Sequence, residues 1–411
     1  MQIAIMGFGT VGSGVAELFL KNKKSIVEKS SQPTLELKKI LDIRDFSSHS
    51  LAPLFTKDFN EILDDPTIGI VVETMGGLNP AYDYVSKCIE AGKSVVSSNK
   101  ELVAAKGYEL LQLAKDNNVN FLFEASVGGG IPIIRPINQC LAANEIDEIG
   151  GILNGTTNFI LKKMIDENMS FDEALRLAQA NGYAERDPSA DILGYDTARK
   201  ICILASLCFG KHVYPDSVET VGITEITPAD IEYAKNRGGV IKLIGRAAKY
   251  SSDKICATVG PCLIANHSQF ATVDDVFNAI IVKGDAIGDV VFYGRGAGKF
   301  PTASAVVADV IDCAKHTARR KMLDWGPAEE NYVIDPIKQS SVLYVRAEAD
   351  NTQKAVSAIN RAFENPVILQ REGAPENEIA FVIPLMREKE AREQIAKLPI
   401  DVKIILRTVD Y

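Results

Sequence analysis

Histidine is scarce in this chain of 411 residues. Only His49, His212, His267 and His316 occur, and no two share metal-ligand spacing. Acid–base chemistry is therefore expected from lysine and carboxylates, and no catalytic zinc is expected. The seven cysteines, from Cys88 to Cys313, include no C-x-x-C pair. An odd, unpaired set excludes a disulfide scaffold or a zinc ribbon and points to reduced thiols in a cytoplasmic protein. No apolar run reaches the roughly 18 residues of a membrane span. The apolar opening MQIAIMGFGTVGSGVAELFL lacks the basic leading segment of a secretory signal. Positive charge is not in excess either: 45 Lys and Arg face 54 Asp and Glu, a formal net charge of −9. That argues against nucleic acid or an anionic membrane as the main partner. What is present is an ordinary globular balance, 46% hydrophobic and 24% charged. At roughly 100–200 residues per domain, the length favours two to four domains.

The opening glycines carry the first motif. Residues 2–6 read as a buried strand, and Gly7-Phe8-Gly9-Thr10-Val11-Gly12 leads into a helical pattern. This is G-x-G-x-x-G between strand and helix, the arrangement that turns tightly, lets backbone approach a pyrophosphate and packs helix on strand. The helix N-terminus adds free N–H groups and partial positive charge. Further strands at 37–42, 68–74, 93–98 and 119–124 alternate with helical patterns at 80–90 and 101–116. Such alternation predicts a doubly wound parallel sheet with ligands at the strand carboxyl ends. Arg44, Ser98 and Lys100 fall on that edge. Asp42, at the end of the second strand, suits the ribose of NAD, whereas Arg44 suits the 2′-phosphate of NADP. Both residue types are present; Arg44 tilts the expectation to NADP, with NAD left open.

After Glu124 the pattern changes. Residues 132–140 read as a helix, 148–153 as a strand, and Asn154-Gly155-Thr156-Thr157-Asn158 precedes an apolar helix. Ser170 and Glu173 form a capping box. Strands are expected at 220–226, 254–261 and 289–293, and a small-residue helix from 301 to about 318. From 341 on, the order is βαββαβ, a ferredoxin-like unit. The expected fold is α/β: an N-terminal Rossmann sheet at 1–130 plus about 300–325, an α+β catalytic and dimerisation domain at 131–300, a linker at 326–340, and a ferredoxin-like domain at 341–411.

Polar chemistry concentrates at 181–200. A helix is expected from about 191 to 209, with Asp196 and Lys200 four apart on one face. Its second half is almost wholly apolar, so these charges need a cavity or partners. With Glu185, Asp187 and Asp191 nearby, the cluster suits a small zwitterionic substrate: carboxylates for its ammonium, lysine for proton transfer. The alternative for Asp196 and Lys200 is a plain helical ion pair. Lys100 is expected near nicotinamide and substrate. Glu124 with the carbonyl-rich loop Val127–Ile131 offers oxygen-only ligation for a hard cation.

The motifs GFGTVGSGV, SSNKELVA, FEASVGGGIPII, LNGTTNFIL, GYAERDPSADILGYDTARK and GRGAGKFPTASAVVADV occur in this order over about residues 1–320. In these the chain resembles the homoserine dehydrogenases. The resemblance implies reversible reduction of L-aspartate 4-semialdehyde to L-homoserine with NAD(P)H, on the route to threonine and methionine. It implies Lys200 as the proton donor and acceptor and Lys100 as its assistant. Glu185 and Asp196 would hold the substrate amine, with Asp191, Tyr183, Gly155 and Thr156 nearby. Gly298 would approach the nicotinamide, and Glu124, Val127, Gly129 and Ile131 would form a sodium site. A homodimer through the second domain is implied. The tail resembles an ACT domain, but Asp350-Asn351-Thr352-Gln353 lacks the glycine that lets an amino-acid ligand approach. Threonine sensing therefore does not follow from the match, and oligomerisation, up to a tetramer, is the alternative role. Other enzymatic readings are a Rossmann dehydrogenase for another amino acid or semialdehyde; the non-enzymatic one is an NAD(P)H sensor.

Overall fold

The structure, a computed structural model, describes residues 1–409. Two compact units emerge. The first comprises Met1–Ile146, Cys202–Pro215 and Lys283–Glu329; the second comprises Asp147–Ile201, Asp216–Val282 and the chain from Glu330 on.

In the first unit, strands β1 (Gln2–Met6), β2 (Glu36–Leu41), β3 (Phe55–Thr56), β4 (Ile68–Glu73), β5 (Ser94–Ser97) and β6 (Phe121–Leu122) pair in parallel. Their order, β3-β2-β1-β4-β5-β6, reverses direction between β1 and β4. That switch point is where a doubly wound sheet opens a ligand crevice. Ile3, Ile5, Val71, Val72, Val95 and Val96 are fully buried, as β-branched strands covered on both faces should be. Helix Lys299–Lys315 packs on Thr10–Lys21, where a Cβ on Gly14 would stand 2.9 Å from the Lys299 carbonyl oxygen.

The remaining strands are β7 (Ile146–Ile152), β8 (Glu219–Thr220), β9 (Gly239–Lys249), β10 (Ile255–Ala265), β11 (Phe277–Gly284), β12 (Gly288–Arg295), β13 (Val333–Ile334), β14 (Ser340–Glu348), β15 (Val367–Leu369), β16 (Glu378–Arg387) and β17 (Asp401–Val409). In the second unit β11-β7-β9-β10-β17-β14-β16-β15 form one continuous sheet. Its last four strands, with helices Thr352–Ala362 and Glu388–Ile395, make the expected ferredoxin-like unit, in which the fourth strand borders the first. β17 also pairs in parallel with β10, from Cys262 with Arg407 to Ile264 with Val409.

Several element expectations are corrected. The helix expected over 191–209 is broken: Ser189–Ile192 ends at Gly194 (φ +86°), and Tyr195–Phe209 begins anew. A left-handed glycine stops a helix without a Cβ clash. The strand expected at 220–226 is only β8, because the chain turns so that the Ile223 N–H reaches Ile192 O at 2.9 Å. The helix at 132–140 reduces to one wide turn, Pro136–Cys140, since the amides before it bond a carboxylate instead. β9 and β11 were not foreseen. They are near-continuous apolar runs, which periodicity alone does not assign to strand or helix.

Candidate active site

The glycine loop is built by close backbone approach. Gly7 has φ +93°, and Thr74 Oγ1 donates to its carbonyl at 2.8 Å. A Cβ on Gly12 would lie 1.9 Å from Gly7 O, so only hydrogen fits there. Gly9 differs: its Cβ would meet nothing within 4 Å, which leaves the loop open to a ligand on that side. Thr10 and Val11 open helix Thr10–Lys21, whose first N–H groups have no partner within the helix. Phe8 is buried, its ring edge-on to Phe46, His49 and Phe55.

Asp42, just beyond β2, is saturated with donors. Its Oδ2 accepts from the Phe8 N–H and Arg44 Nη2, both at 2.7 Å. Its Oδ1 accepts from the Arg44 N–H at 3.0 Å and Nε at 2.9 Å. About four lone-pair sites are thereby filled. The Arg44 side chain holds this carboxyl well below the usual carboxylate range. Arg44 lies over the Phe46 ring at 5.2 Å and is 56% exposed. Asp42 and Arg44, with Lys57, Pro80 and Tyr84, line a cleft of about 330 Å³ that includes Gly7 and Gly9. An open glycine turn, free helix amides and two cations fit a phosphorylated dinucleotide.

At the next strand ends, buried Glu73 accepts from the Ser97 hydroxyl at 2.6 Å and the Met75 N–H at 2.7 Å. Burial pushes its pKa up. Ser98 donates its N–H to Glu73 O. Asn99 caps the next helix through the Leu102 N–H, so half-buried Lys100 is the first residue of Lys100–Asp116. Gly298 (φ +115°) is exposed and opens helix Lys299–Lys315.

The Glu124 carboxylate is turned onto backbone amides. Its Oε1 accepts from the N–H groups of Ile133 and Ile134 at 2.6 and 2.8 Å, and its Oε2 from that of Arg135 at 2.8 Å. The Glu124 N–H donates to Asp309, which also accepts from Arg135. Burial, then the nearby Glu124 charge, raises Asp309 to about 7. Among the described residues no three His, Cys, Asp or Glu side chains gather as a metal site. The Glu124 carboxylate thus acts as an amide anchor. The loop packs on the second glycine loop: a Cβ on Gly129 would lie 2.2 Å from Gly296 O.

In the second unit, Asp196, Lys200 and Asp191 are brought together by a residue not foreseen, Asn154. Lys200 is 7% exposed and Asp196 2%. Lys200 Nζ meets Asp196 Oδ2 at 2.8 Å and donates to Leu153 O at 2.7 Å. Asn154 Nδ2 donates to the same Asp196 Oδ2 at 2.9 Å and to Asp191 Oδ1 at 2.6 Å. Its Oδ1 caps helix Gly155–Glu167 by accepting the Thr157 N–H. An Asn just before a helical apolar run signals such a cap, but the cap does not announce that its NH₂ binds two acids. Gly155 and Thr156 form the first turn, and Thr156 Oγ1 donates to Tyr183 O at 2.6 Å. Tyr183, edge-on to Phe159, is half exposed, and Glu185 lies on the exposed segment after it.

Residues 7–124 match a family model described as "Homoserine dehydrogenase, NAD binding domain", and residues 132–311 match "Homoserine dehydrogenase". A homoserine dehydrogenase of Synechocystis is 42% identical over 349 residues, covering 82% of this chain and 77% of that protein. The crystal structure of a homoserine dehydrogenase from Thiobacillus denitrificans is 33% identical, with a TM-score of 0.89 over 100% of this chain and 98% of that one. A hyperthermophilic archaeal homoserine dehydrogenase in complex with NADPH is 29% identical, with a TM-score of 0.63 over 76% of this chain and 97% of that one. The open dinucleotide cleft, the two family models and these relatives lead to one conclusion: the chain belongs to the homoserine dehydrogenase family, oxidoreductases with an NAD-binding domain.

Proposed function

We propose that this enzyme interconverts L-aspartate 4-semialdehyde and L-homoserine, with Lys200 moving the proton at the reacting oxygen. The carrying observation is the buried Lys200–Asp196 pair joined to Asp191 through Asn154. A buried ammonium fixed by a carboxylate and a carbonyl is oriented before substrate arrives, which is what general acid catalysis requires. The dinucleotide supplies or takes the hydride; the other tasks fall to side chains. Lys200 gives its proton to the nascent alkoxide, or accepts it in the reverse direction, and Lys100 steadies the carbonyl. Glu185 and Asp196 hold the substrate ammonium, with Asp191, Tyr183, Gly155 and Thr156 completing the subsite. The direct test incubates the protein with homoserine and NADP or NAD and follows absorbance of the reduced nicotinamide. Growth of that band supports the assignment, and cofactor binding without turnover contradicts it.

NADP is the proposed cofactor. The Asp42 carboxylate is filled by the Phe8 amide and by Arg44, while Arg44, largely exposed beside it, and Lys57 line the cleft where a 2′-phosphate would sit. Arg44→Ala is expected to lower kcat/KM with NADP about tenfold or more, and that with NAD much less. Equal losses would contradict the assignment. Sodium, held by the main-chain oxygens of Glu124, Val127, Gly129 and Ile131, is the proposed ion, and activity in lithium against sodium buffers reads its effect. We also infer the domain limits given by sequence, an ACT-like role for residues 341–411 in oligomerisation, and a homodimer or tetramer, read by light scattering. A cytoplasmic location is part of the same proposal, argued from an odd number of cysteines without a C-x-x-C pair.

A further inference from the structure

The second unit buries a cation that the chemistry above does not use. Lys242, on β9, is 1% exposed. Its Nζ donates to Asn158 Oδ1 at 3.0 Å and to Val273 O at 2.7 Å, with Asp274 Oδ1 at 3.9 Å. An ammonium has only donors, so it fixes which end of the Asn158 amide faces it. The Asn158 NH₂ then points the other way, donating to Val273 O, Asp275 O and Phe277 O at 2.9, 3.0 and 3.3 Å. One buried amide thereby gathers three carbonyls between residue 273 and the first residue of β11. Lys162, from the same helix as Asn158, adds an ion pair to Asp274 at 3.0 Å.

This segment backs the first turn of helix Gly155–Glu167. A Cβ on Gly155 would stand 2.7 Å from Val276 O. Asn158 bonds Asn154 O through its own N–H at 3.3 Å, and Asn154 reaches Asp191 and Asp196. The turn is clamped at both ends by amide side chains, one on the acids and one on the buried cation. A buried charge is costly unless it is paired and hydrogen-bonded, and stability alone would be served as well by an apolar side chain.

We propose that Lys242 is a positioning residue for the substrate: it orients Asn158, which clamps residues 273–277 behind Gly155 and Thr156 and sets where those two residues meet the amino acid. The inference rests on the reading of Gly155 and Thr156 as substrate contacts. Its signature is a loss in substrate recognition rather than in chemistry. In Lys242→Met, KM for homoserine is expected to rise roughly tenfold, with kcat at saturation within about threefold of wild type. NADP affinity stays unchanged, and amides at 155–158 and 273–277 exchange faster with deuterium. Should Lys242→Met not fold, Asn158→Asp serves: it keeps an acceptor for Lys242, removes the NH₂ donors and carries the same expectation. A folded variant with wild-type KM overturns the proposal, as does an equal loss in kcat, homoserine KM and NADP affinity. Thr156→Ala separates the two claims. If it raises KM while the other variants do not, the positioning role alone fails. If it leaves KM unchanged, the contact reading fails and takes the positioning role with it.

Discussion

Asn154 shows how much chemistry one side chain can organise. Its oxygen caps a helix, and its NH₂ ties Asp191 to Asp196 beside Lys200. Asn154→Ala removes a cap, a loss of about 1 kcal/mol, and leaves two carboxylates without their shared donor. Calorimetry is expected to show that loss together with a higher KM for homoserine. Lys200 and Asp196 were legible because i,i+4 spacing puts them on one helix face. Asn154 was not, since Asp191 sits on a different helix and nothing in local spacing joins them. The Glu124 carboxylate anchors three amides that lie 9 to 11 residues further on, a role that no local spacing announces. Lys242 makes a pH prediction. Burial lowers its pKa to about 8, while Asp274, Asp166 and Asp275 pull it up and Lys162 pushes it down. Between about 8 and the ordinary 10.5 the unfolded chain holds a proton that the folded chain has released. Stability is therefore expected to rise with pH across that window, and urea unfolding of Lys242→Met should lack that part of the slope.

At the scale of elements, the two glycines that look alike in the motif do different work. A Cβ at Gly12 would collide with Gly7 O, whereas one at Gly9 would meet nothing. Gly12→Ala is expected to destabilise the first unit by about 1–3 kcal/mol or more through overpacking. Gly9→Ala should keep the wild-type melting temperature and lose dinucleotide affinity, because it occupies ligand space; thermal denaturation and NADP titration check both. The parallel sheet was readable because strands and helices alternate with clear periods. β9 and β11 were not, as their apolar runs carry no alternation. The break at Gly194 was hidden because the residues around it, Asp191 to Lys200, keep helical spacing across it.

At the scale of the whole molecule, the ferredoxin-like unit is bound into the second unit's sheet by more than strand pairing. Asp230, fully buried, accepts from the Tyr344 hydroxyl at 3.0 Å and from Arg346 Nε at 2.7 Å. Arg407 joins Glu388 and Glu219, each at 2.8 Å. Removing one partner of a buried pair strands the other, so Arg346→Met is expected to lower unfolding stability by about 3–5 kcal/mol in denaturant titration. The βαββαβ order was legible from its alternation of elements, but its seam with β10 was not, because the pairing partners are far apart in sequence. Function, in contrast, was legible across some 320 residues, because six motifs that resemble those of one family follow each other in order, with their polar residues at strand ends, caps and one buried helix. The proposed chemistry stands on Lys200 moving the proton. Its most direct test is the single-turnover rate of homoserine oxidation by folded Lys200→Ala at saturating NADP. A fall of roughly 10²–10⁴ with NADP affinity intact is the expected result. A rate near that of the wild type would contradict it.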